Sequence, residues 1–297
     1  MVNGDPKDVM DFDARMRSLL FVPGDQPERV KKALSSNADG VVIDLEDAVS
    51  PEHRQQARTL LKNAHDESSV GNSTLIIVRV NPYGTVDFLE DLKSVLAAGV
   101  GFILVSKFIA GDLAKEMDAE ISVLEAEAGR VSPLYAIALI ESAAGVLSLL
   151  NSSHLPTRVR RLAFGAADFH ADLATSHLRP DIHSDLAHSA IVLASAAASL
   201  DAPLDSPYFS LDDDVGLRES ARMARERGFG GKLAIHPKQI NAIHESFRMS
   251  EDELGWARKV IAEWESPARA GRAAIKVDGQ LADMAMVRRA RQIIANQ

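Results

Sequence analysis

Charged residues in this chain gather at the carboxyl ends of apolar runs, and that placement is the chemistry the sequence offers. Asp44-Leu45-Glu46-Asp47 closes one run, Arg79 sits inside Val-Arg-Val-Asn, Lys107 follows Phe102–Val105, and Glu141 follows Ala136-Ile-Ala-Leu-Ile140. A later run, ending at Phe164, leads through Gly165-Ala166-Ala167 to Asp168. Glu141 has two readings, a helix N-terminal acid favoured by the dipole or a metal ligand. Asp168 is likewise a helix N-cap or a second ligand. Two carboxylates from adjacent strand ends, in a chain with no cysteine, suit a hard cation such as Mg2+, with Mn2+ admissible in its place. Zinc would want nitrogen or sulfur. Arg79 between apolar neighbours needs a carboxylate or an anionic ligand to meet it. Glu46 and Asp47 cannot point the same way in an extended segment, so one or both orient metal-bound water or pair with Arg79. His236 is a ligand-pocket wall or a satisfied core histidine. His177, His183 and His188 lack the i, i+4 spacing of a helical metal motif and read as solvated. The Gly-Phe-Gly-Gly-Lys run ending at Lys232 lacks Walker spacing and reads as a turn.

Those residues need strands to present them. Apolar runs at Ser18–Pro23, 40–45, 74–80, Phe102–Val105, 134–140, 161–164 and 232–235 alternate with helical patterns, among them one from about Pro27, one over 51–65 and one over Val86–Ala98. The runs are continuously apolar, which means burial on both faces and a parallel sheet under helices. The β-then-α units number about eight, which favours a closed (β/α)8 TIM barrel over an open doubly wound sheet. The Gly-x-Gly-x-x-Gly fingerprint of a dinucleotide fold is absent after the first strand, which ends in Val-Pro-Gly-Asp-Gln-Pro. In a parallel barrel the carboxyl ends of the strands form the active-site face, so five segments deliver acid or base groups to one mouth. The expected organisation is a flexible leader over 1–15, the barrel over 16–248 and a C-terminal helical extension over 249–297, helical at 249–272 and again at 281–295.

Composition closes off other classes. The chain has 297 residues, with 33 Lys+Arg against 42 Asp+Glu and a net charge of −9. That balance argues against a nucleic-acid surface. The absence of cysteine removes disulfides, thiolate metal sites and thiol nucleophiles. No run approaches the roughly 18 apolar residues of a membrane span, and the first residues lack a signal peptide's pattern, so the expectation is a cytoplasmic enzyme with no membrane partner.

Six ordered motifs carry a resemblance. Arg17-Ser-Leu-Leu-Phe-Val-Pro-Gly24, Asp44-Leu-Glu-Asp-Ala-Val49, Val78-Arg-Val-Asn81, Leu139-Ile-Glu-Ser142 with Gly145-Val146, Gly165-Ala-Ala-Asp168 and Gly231-Lys-Leu-Ala-Ile-His-Pro237 stand in the chain in that order. The chain thereby resembles the citrate lyase β-subunit-like family of the HpcH/HpaI aldolase superfamily, which includes malyl-CoA and citramalyl-CoA lyases. The resemblance runs from about Arg17 to the C-terminus. It implies a Mg2+-bearing barrel, a homotrimer or hexamer, that cleaves or forms a carbon–carbon bond in a 3-hydroxyacyl-CoA thioester, giving acetyl-CoA and a 2-oxo acid. It further implies Glu141 and Asp168 as metal ligands, Arg79 as the enolate or carboxylate partner, and Arg17 as an additional anion-binding residue. Gly165, Ala166 and Ala167 would offer backbone N–H groups to the oxo-acid carboxylate. Asp278-Gly-Gln-Leu-Ala-Asp283 resembles the family's Gly-x-Met-Ile-Asp element, whose final acid, here Asp283, moves protons in a neighbouring subunit's site.

Three departures bear on acyl preference and CoA affinity: Ser106 before Lys107 where the family has proline, Ser189 where a cation is common, and Ala282 before Asp283. Two other readings accompany the lyase. One is a citrate lyase β subunit acting on a citryl thioester held by an acyl-carrier protein; the other is a non-catalytic CoA- or dicarboxylate-binding homologue. Two basic stretches could meet CoA phosphates: Arg218, Arg222, Arg225, Arg227 and Lys232, or Arg15, Arg17, Arg29, Lys31 and Lys32.

Overall fold

The computed structural model describes residues 16–68, 74–152, 154–175, 182–266 and 273–295. The leader over 1–15 and His177 lie outside them. The chain divides into two compact units, residues 1–247 and 248–297.

In the first unit eight parallel strands close into a barrel in sequence order. They are β1 (Ser18–Pro23), β2 (Gly40–Asp44), β3 (Leu75–Val80), β4 (Phe102–Val105), β5 (Tyr135–Ile140), β6 (Val159–Phe164), β7 (Leu204–Asp205) and β8 (Gly231–Ala234). Between them lie α1 (Pro27–Leu34), α2 (Arg54–Ser68), α3 (Val86–Ala98), α4 (Asp112–Glu127), α5 (Ala143–Asn151), α6 (Ala166–Asp172), α7 (Ile182–Ala197) and α8 (Asp214–Arg227), with α9 (Ile240–Phe247) after β8. The fold is the expected (β/α)8 barrel. β7, only two residues long, left no run that the sequence could show.

Strand alternation divides the core in two. Leu19, Val42, Ile77, Leu104, Leu139, Ala163, Leu204 and Leu233 fill the barrel interior. Their neighbours Leu20, Val41, Val78, Ile103 and Leu162 pack outward against the helices. The helix ends are set locally. Thr85 and Ser142 cap α3 and α5 through their side-chain oxygens, and Gly99 and Gly228 end α3 and α8 in the left-handed region, at φ 80° and 103°.

The second unit contains α10 (Glu251–Glu265), a hairpin of β9 (Ile275–Val277) and β10 (Gln280–Ala282), and α11 (Met284–Ala295). Ser250 and Glu253 form a capping box at the start of α10. The helix expected over 281–295 is corrected at its start, because residues 281–282 belong to the hairpin. Asp278 and Gly279 turn it at φ 48° and 87°. An Asp-Gly pair with both φ positive suits a two-residue hairpin turn, a signal present in the sequence. This unit has its own core around Leu254, Val260, Trp264, Val277 and Val287. Among the described residues no helix is long and apolar enough to cross a membrane.

Candidate active site

The alternation that fills the barrel also aims the chemistry. Val42, Ile77 and Leu139 face inward, so Asp44, Arg79 and Glu141, each two residues further on, face inward at the carboxyl ends of β2, β3 and β5. All three are buried.

Arg79 is the most constrained of them. Its Nε and Nη2 donate to the two oxygens of Asp44 at 2.7 and 2.5 Å, a bidentate fork. Its Nη1 lies 2.9 Å from Glu46 and 3.7 Å from Asp47, and the guanidinium sits 5.1 Å from the centre of the Phe21 ring. Burial works against this charge, but the bonds to Asp44 and the charges of Asp44, Glu46 and Glu141 outweigh it and hold the group firmly protonated. The sequence had offered Glu46 and Asp47 as partners. The principal partner is Asp44, whose oxygens also accept the backbone N–H groups of Glu46 and Ala48. Glu46 is buried between Arg79 and Lys107, with Lys107 Nζ 3.2 Å away, while Asp47 is exposed at the rim. Burial raises the pKa of Glu46 and Asp47 adds to the rise, against the pull of Arg79 and Lys107.

Glu141 stands beside this corner. Its Oε1 accepts the backbone N–H of Lys107 at 2.8 Å. Lys107 reaches that position at φ 50°, an unusual angle for a residue with a side chain, and it aims the N–H at the carboxylate. The loop carrying it is tied down by Ser106, whose hydroxyl donates to the carbonyl of Val80 at 2.8 Å. The hydroxyl thus gives the loop a hydrogen-bonded anchor where the family pattern has proline. Burial pushes the Glu141 carboxyl up to about 8, with the charges of Glu46 and Asp168 adding to the rise and Lys107 N–H and Arg79 opposing it. Asp168, in the first turn of α6, is half-buried. Gly165 closes the cradle: a Cβ there would lie 2.6 Å from Glu141 Cβ and 2.7 Å from its Oε2. Mutual repulsion among buried carboxylates, in a space kept clear by glycine, fits a divalent oxygen-seeking cation. Among the described residues no group of three or more His, Cys, Asp or Glu gathers for a metal. A two-carboxylate site fits Mg2+, which keeps several waters or substrate oxygens in its shell.

Other expectations are relocated. Arg17 does not reach the mouth. It precedes β1, about 20 Å of strand from the carboxyl end, and its Nε and Nη2 bond both oxygens of Asp39 at 3.1 and 2.9 Å. Its role is a clasp at the barrel's opposite end, since it stands before the first residue of β1 and not after the last. His236 does lie at the carboxyl end of β8, but exposed, its Nδ1 accepting the backbone N–H of Lys238 at 3.2 Å as a cap. The first basic stretch is internally paired: Arg218 with Asp214 and Glu245, Arg222 with Glu219 and Glu226, Arg227 with Asp185, and Lys232 with Asp205. Lys232 is buried rather than poised for phosphate, and faces outward because Leu233 faces in. His188 is likewise not solvated: its Nε2 lies 3.0 Å from Asp205 and its ring is edge-on to Phe164 and Phe229. Ser189 is exposed on α7.

In the second unit Asp283 is exposed and caps α11, its Oδ1 accepting the N–H of Ala285 at 2.9 Å and of Met286 at 3.3 Å. Ala282 points into that unit's core, so its small size bears on local packing rather than on the surroundings of Asp283.

Fold and site define the class: a (β/α)8 barrel enzyme whose mouth sets a fixed guanidinium beside a carboxylate cluster. Comparison with known proteins agrees, the profile of the HpcH/HpaI aldolase/citrate lyase family matching residues 17–237. The chain belongs to that family, and its relatives are carbon–carbon lyases. It is 32% identical to the citrate lyase subunit beta of Leuconostoc mesenteroides subsp. cremoris, over 96% of this chain and 94% of that one. It is 30% identical to the L-malyl-CoA/beta-methylmalyl-CoA lyase of Rhodobacter capsulatus, over 94% and 93%. Among solved structures, the protein CitE of Mycobacterium tuberculosis in complex with magnesium, acetoacetate and coenzyme A is similar at a TM-score of 0.74 and 28% identity, covering 96% of this chain and 98% of that one.

Proposed function

We propose that the protein is a Mg2+-dependent lyase that cleaves or forms a 3-hydroxyacyl-CoA thioester of the malyl-CoA or citramalyl-CoA kind, with acetyl-CoA and a 2-oxo acid as the other side of the reaction. The observation that carries this reading is the placement of Arg79, charged and immobilised, in one mouth with the Glu141 carboxylate and its Gly165 cradle. The magnesium, acetoacetate and coenzyme A of the CitE structure and the substrates in the malyl-CoA lyase's name support it.

Glu141 and Asp168 would hold Mg2+. When bound, the cation supplies a Lewis acid that chelates hydroxyl and carboxylate oxygens and lowers the hydroxyl pKa. Arg79 places fixed positive charge where the thioester enolate develops, with no reorganisation because Asp44 already holds the fork. Backbone N–H groups of Ala166 and Ala167, at the start of α6, orient the oxo-acid carboxylate, whereas the N–H of Gly165, expected to join them, is bonded to the Ile140 carbonyl at 3.0 Å. Lys107 N–H keeps Glu141 turned toward the site. Asp283, offered between exposed Leu281 and Met284, moves the proton at the acetyl carbon of a neighbouring subunit's substrate in a homotrimer or hexamer. An exposed carboxylate framed by apolar side chains suits a surface that another subunit covers.

A second reading is favoured by the similarity to a citrate lyase subunit beta: action on a citryl thioester borne by an acyl-carrier protein. Incubating the purified protein with malyl-, citramalyl- and citryl-CoA, with and without Mg2+, separates the two. Release of acetyl-CoA and a 2-oxo acid only with Mg2+ supports the first reading. Activity that appears only on adding a carrier-bound thioester supports the second. No cleavage of any of these overturns both.

A further inference from the structure

Behind the Arg79 corner lies a buried network that the mechanism above does not use. Asp91, on α3, is fully buried. Its Oδ1 accepts from Arg58 Nε at 2.7 Å, and its Oδ2 accepts both the backbone N–H and the side-chain Nδ2 of Asn81, each at 2.8 Å. The other Nδ2 hydrogen of Asn81 donates to the carbonyl of Leu45 at 3.0 Å. The β2–β3 ladder ends at the Asp44–Arg79 pair, and Leu45 N–H still bonds the Arg79 carbonyl at 3.0 Å. Asn81 therefore extends the ladder one step beyond its last backbone pair, using its side-chain amide.

What that extra step controls is Glu46. The Glu46 carboxylate is buried and ion-paired with Arg79 and Lys107, but neither oxygen makes a hydrogen bond of good geometry among the described residues. Its tip is held by those two ion pairs, one of them to the half-exposed Lys107, so the backbone on which it stands shares in deciding where its charge falls. That backbone is held on one side by Asp44, through the Glu46 N–H, and on the other by Asn81, through the Leu45 carbonyl. Asp91 in turn fixes Asn81. A buried anion is a costly way to fill a helix–barrel contact unless its hydrogen bonds are needed there.

We propose that Asp91 and Asn81 are positioning residues of the reaction, setting where Glu46 stands beside Arg79 and so the charge the substrate meets. The inference rests on the reading of this mouth as the active site. Asn81→Ser, which removes the amide bridge, and Asp91→Asn, which removes the charge behind it, should each lower kcat about 10- to 100-fold when assayed well below their Tm, as expected for a displaced charge at a reacting centre, with KM changing by less than about threefold. In a double-mutant cycle with Glu46→Gln, neither variant should lower kcat beyond the loss from Glu46→Gln alone, while each still lowers Tm. Losses in kcat that multiply instead would overturn the proposal. If Asp91→Asn fails to fold, Asn81→Ser carries the cycle. A crystal structure of Asn81→Ser gives a readout independent of turnover. Glu46 shifted from Arg79 upholds the clamp even if no thioester is cleaved, and Glu46 unmoved overturns it.

Discussion

Substituting Gly165 by alanine tests the construction of the site with one methyl group. The backbone there, at φ −108°, accepts alanine without strain, so the effect comes from what the methyl meets. An ideal Cβ would lie 2.6 Å from Glu141 Cβ and 2.7 Å from Oε2. Carbon atoms rest about 3.5–4.0 Å apart, so Glu141 or the turn must retreat by about 1 Å. Overpacking of that order costs about 1–3 kcal/mol, or a fall in Tm of about 2–5 °C for a chain of this size. The same displacement of a ligand carboxylate should reduce turnover about 100-fold and weaken Mg2+ about 10- to 100-fold. Thioester cleavage at graded Mg2+ and calorimetric Mg2+ titration read the two effects, with thermal melts beside them. Gly101→Ala is the control, since nothing lies within 4 Å of its Cβ. Gly165→Ala with wild-type turnover and wild-type Mg2+ affinity would refute the assignment of Glu141 and its cradle.

Arg79→Lys keeps the charge but loses the fork to Asp44; kcat should fall about 10²- to 10³-fold with the fold intact by circular dichroism. Asp39 predicts a pH effect on stability. Burial tends to raise its pKa, but hydrogen bonds from His244 and Arg17 and their charges bring it down from 3.8 to about 2. A carboxyl depressed in the folded chain contributes stability that is complete above pH 3.8 and is lost as pH falls toward 2. After allowance for solvent screening that contribution is about 1–2 kcal/mol. The stability gap between wild type and Asp39→Asn, measured by urea denaturation, should therefore shrink between pH 5 and pH 2; a gap that widens would contradict the sign.

Continuous apolar runs make the barrel legible in the sequence, and strand ends single out Glu141, Asp168 and Arg79 as candidates. Their common inward face then follows from strand alternation. Arg17 enters as an anion-binding residue through the family resemblance; its place before β1 sets it at the amino end of the barrel, where Asp39 meets it. The basic stretch at 218–232 is one of two candidates for CoA phosphates; the pairing of Arg222 with Glu219 and Glu226 follows from helical spacing, but Glu245, Asp185 and Asp205, which meet Arg218, Arg227 and Lys232, lie on other elements and are neighbours only in space. Lys232 and His188 gave no sign of burial, since their shared partner Asp205 lies on a strand too short to announce itself. Asn81 stands in one of the six motifs without a role, and Asp91 left no trace, as their bond joins α3 to a strand end through side chains.

The central claim is that this mouth cleaves thioesters through a metal held by Glu141. Its most direct test is the turnover of Glu141→Ala, against wild type, on whichever thioester the wild type cleaves, at saturating Mg2+. The account predicts a folded protein with cleavage reduced by at least about 10³-fold, in line with loss of the metal's Lewis-acid contribution. Cleavage at the wild-type rate would contradict it.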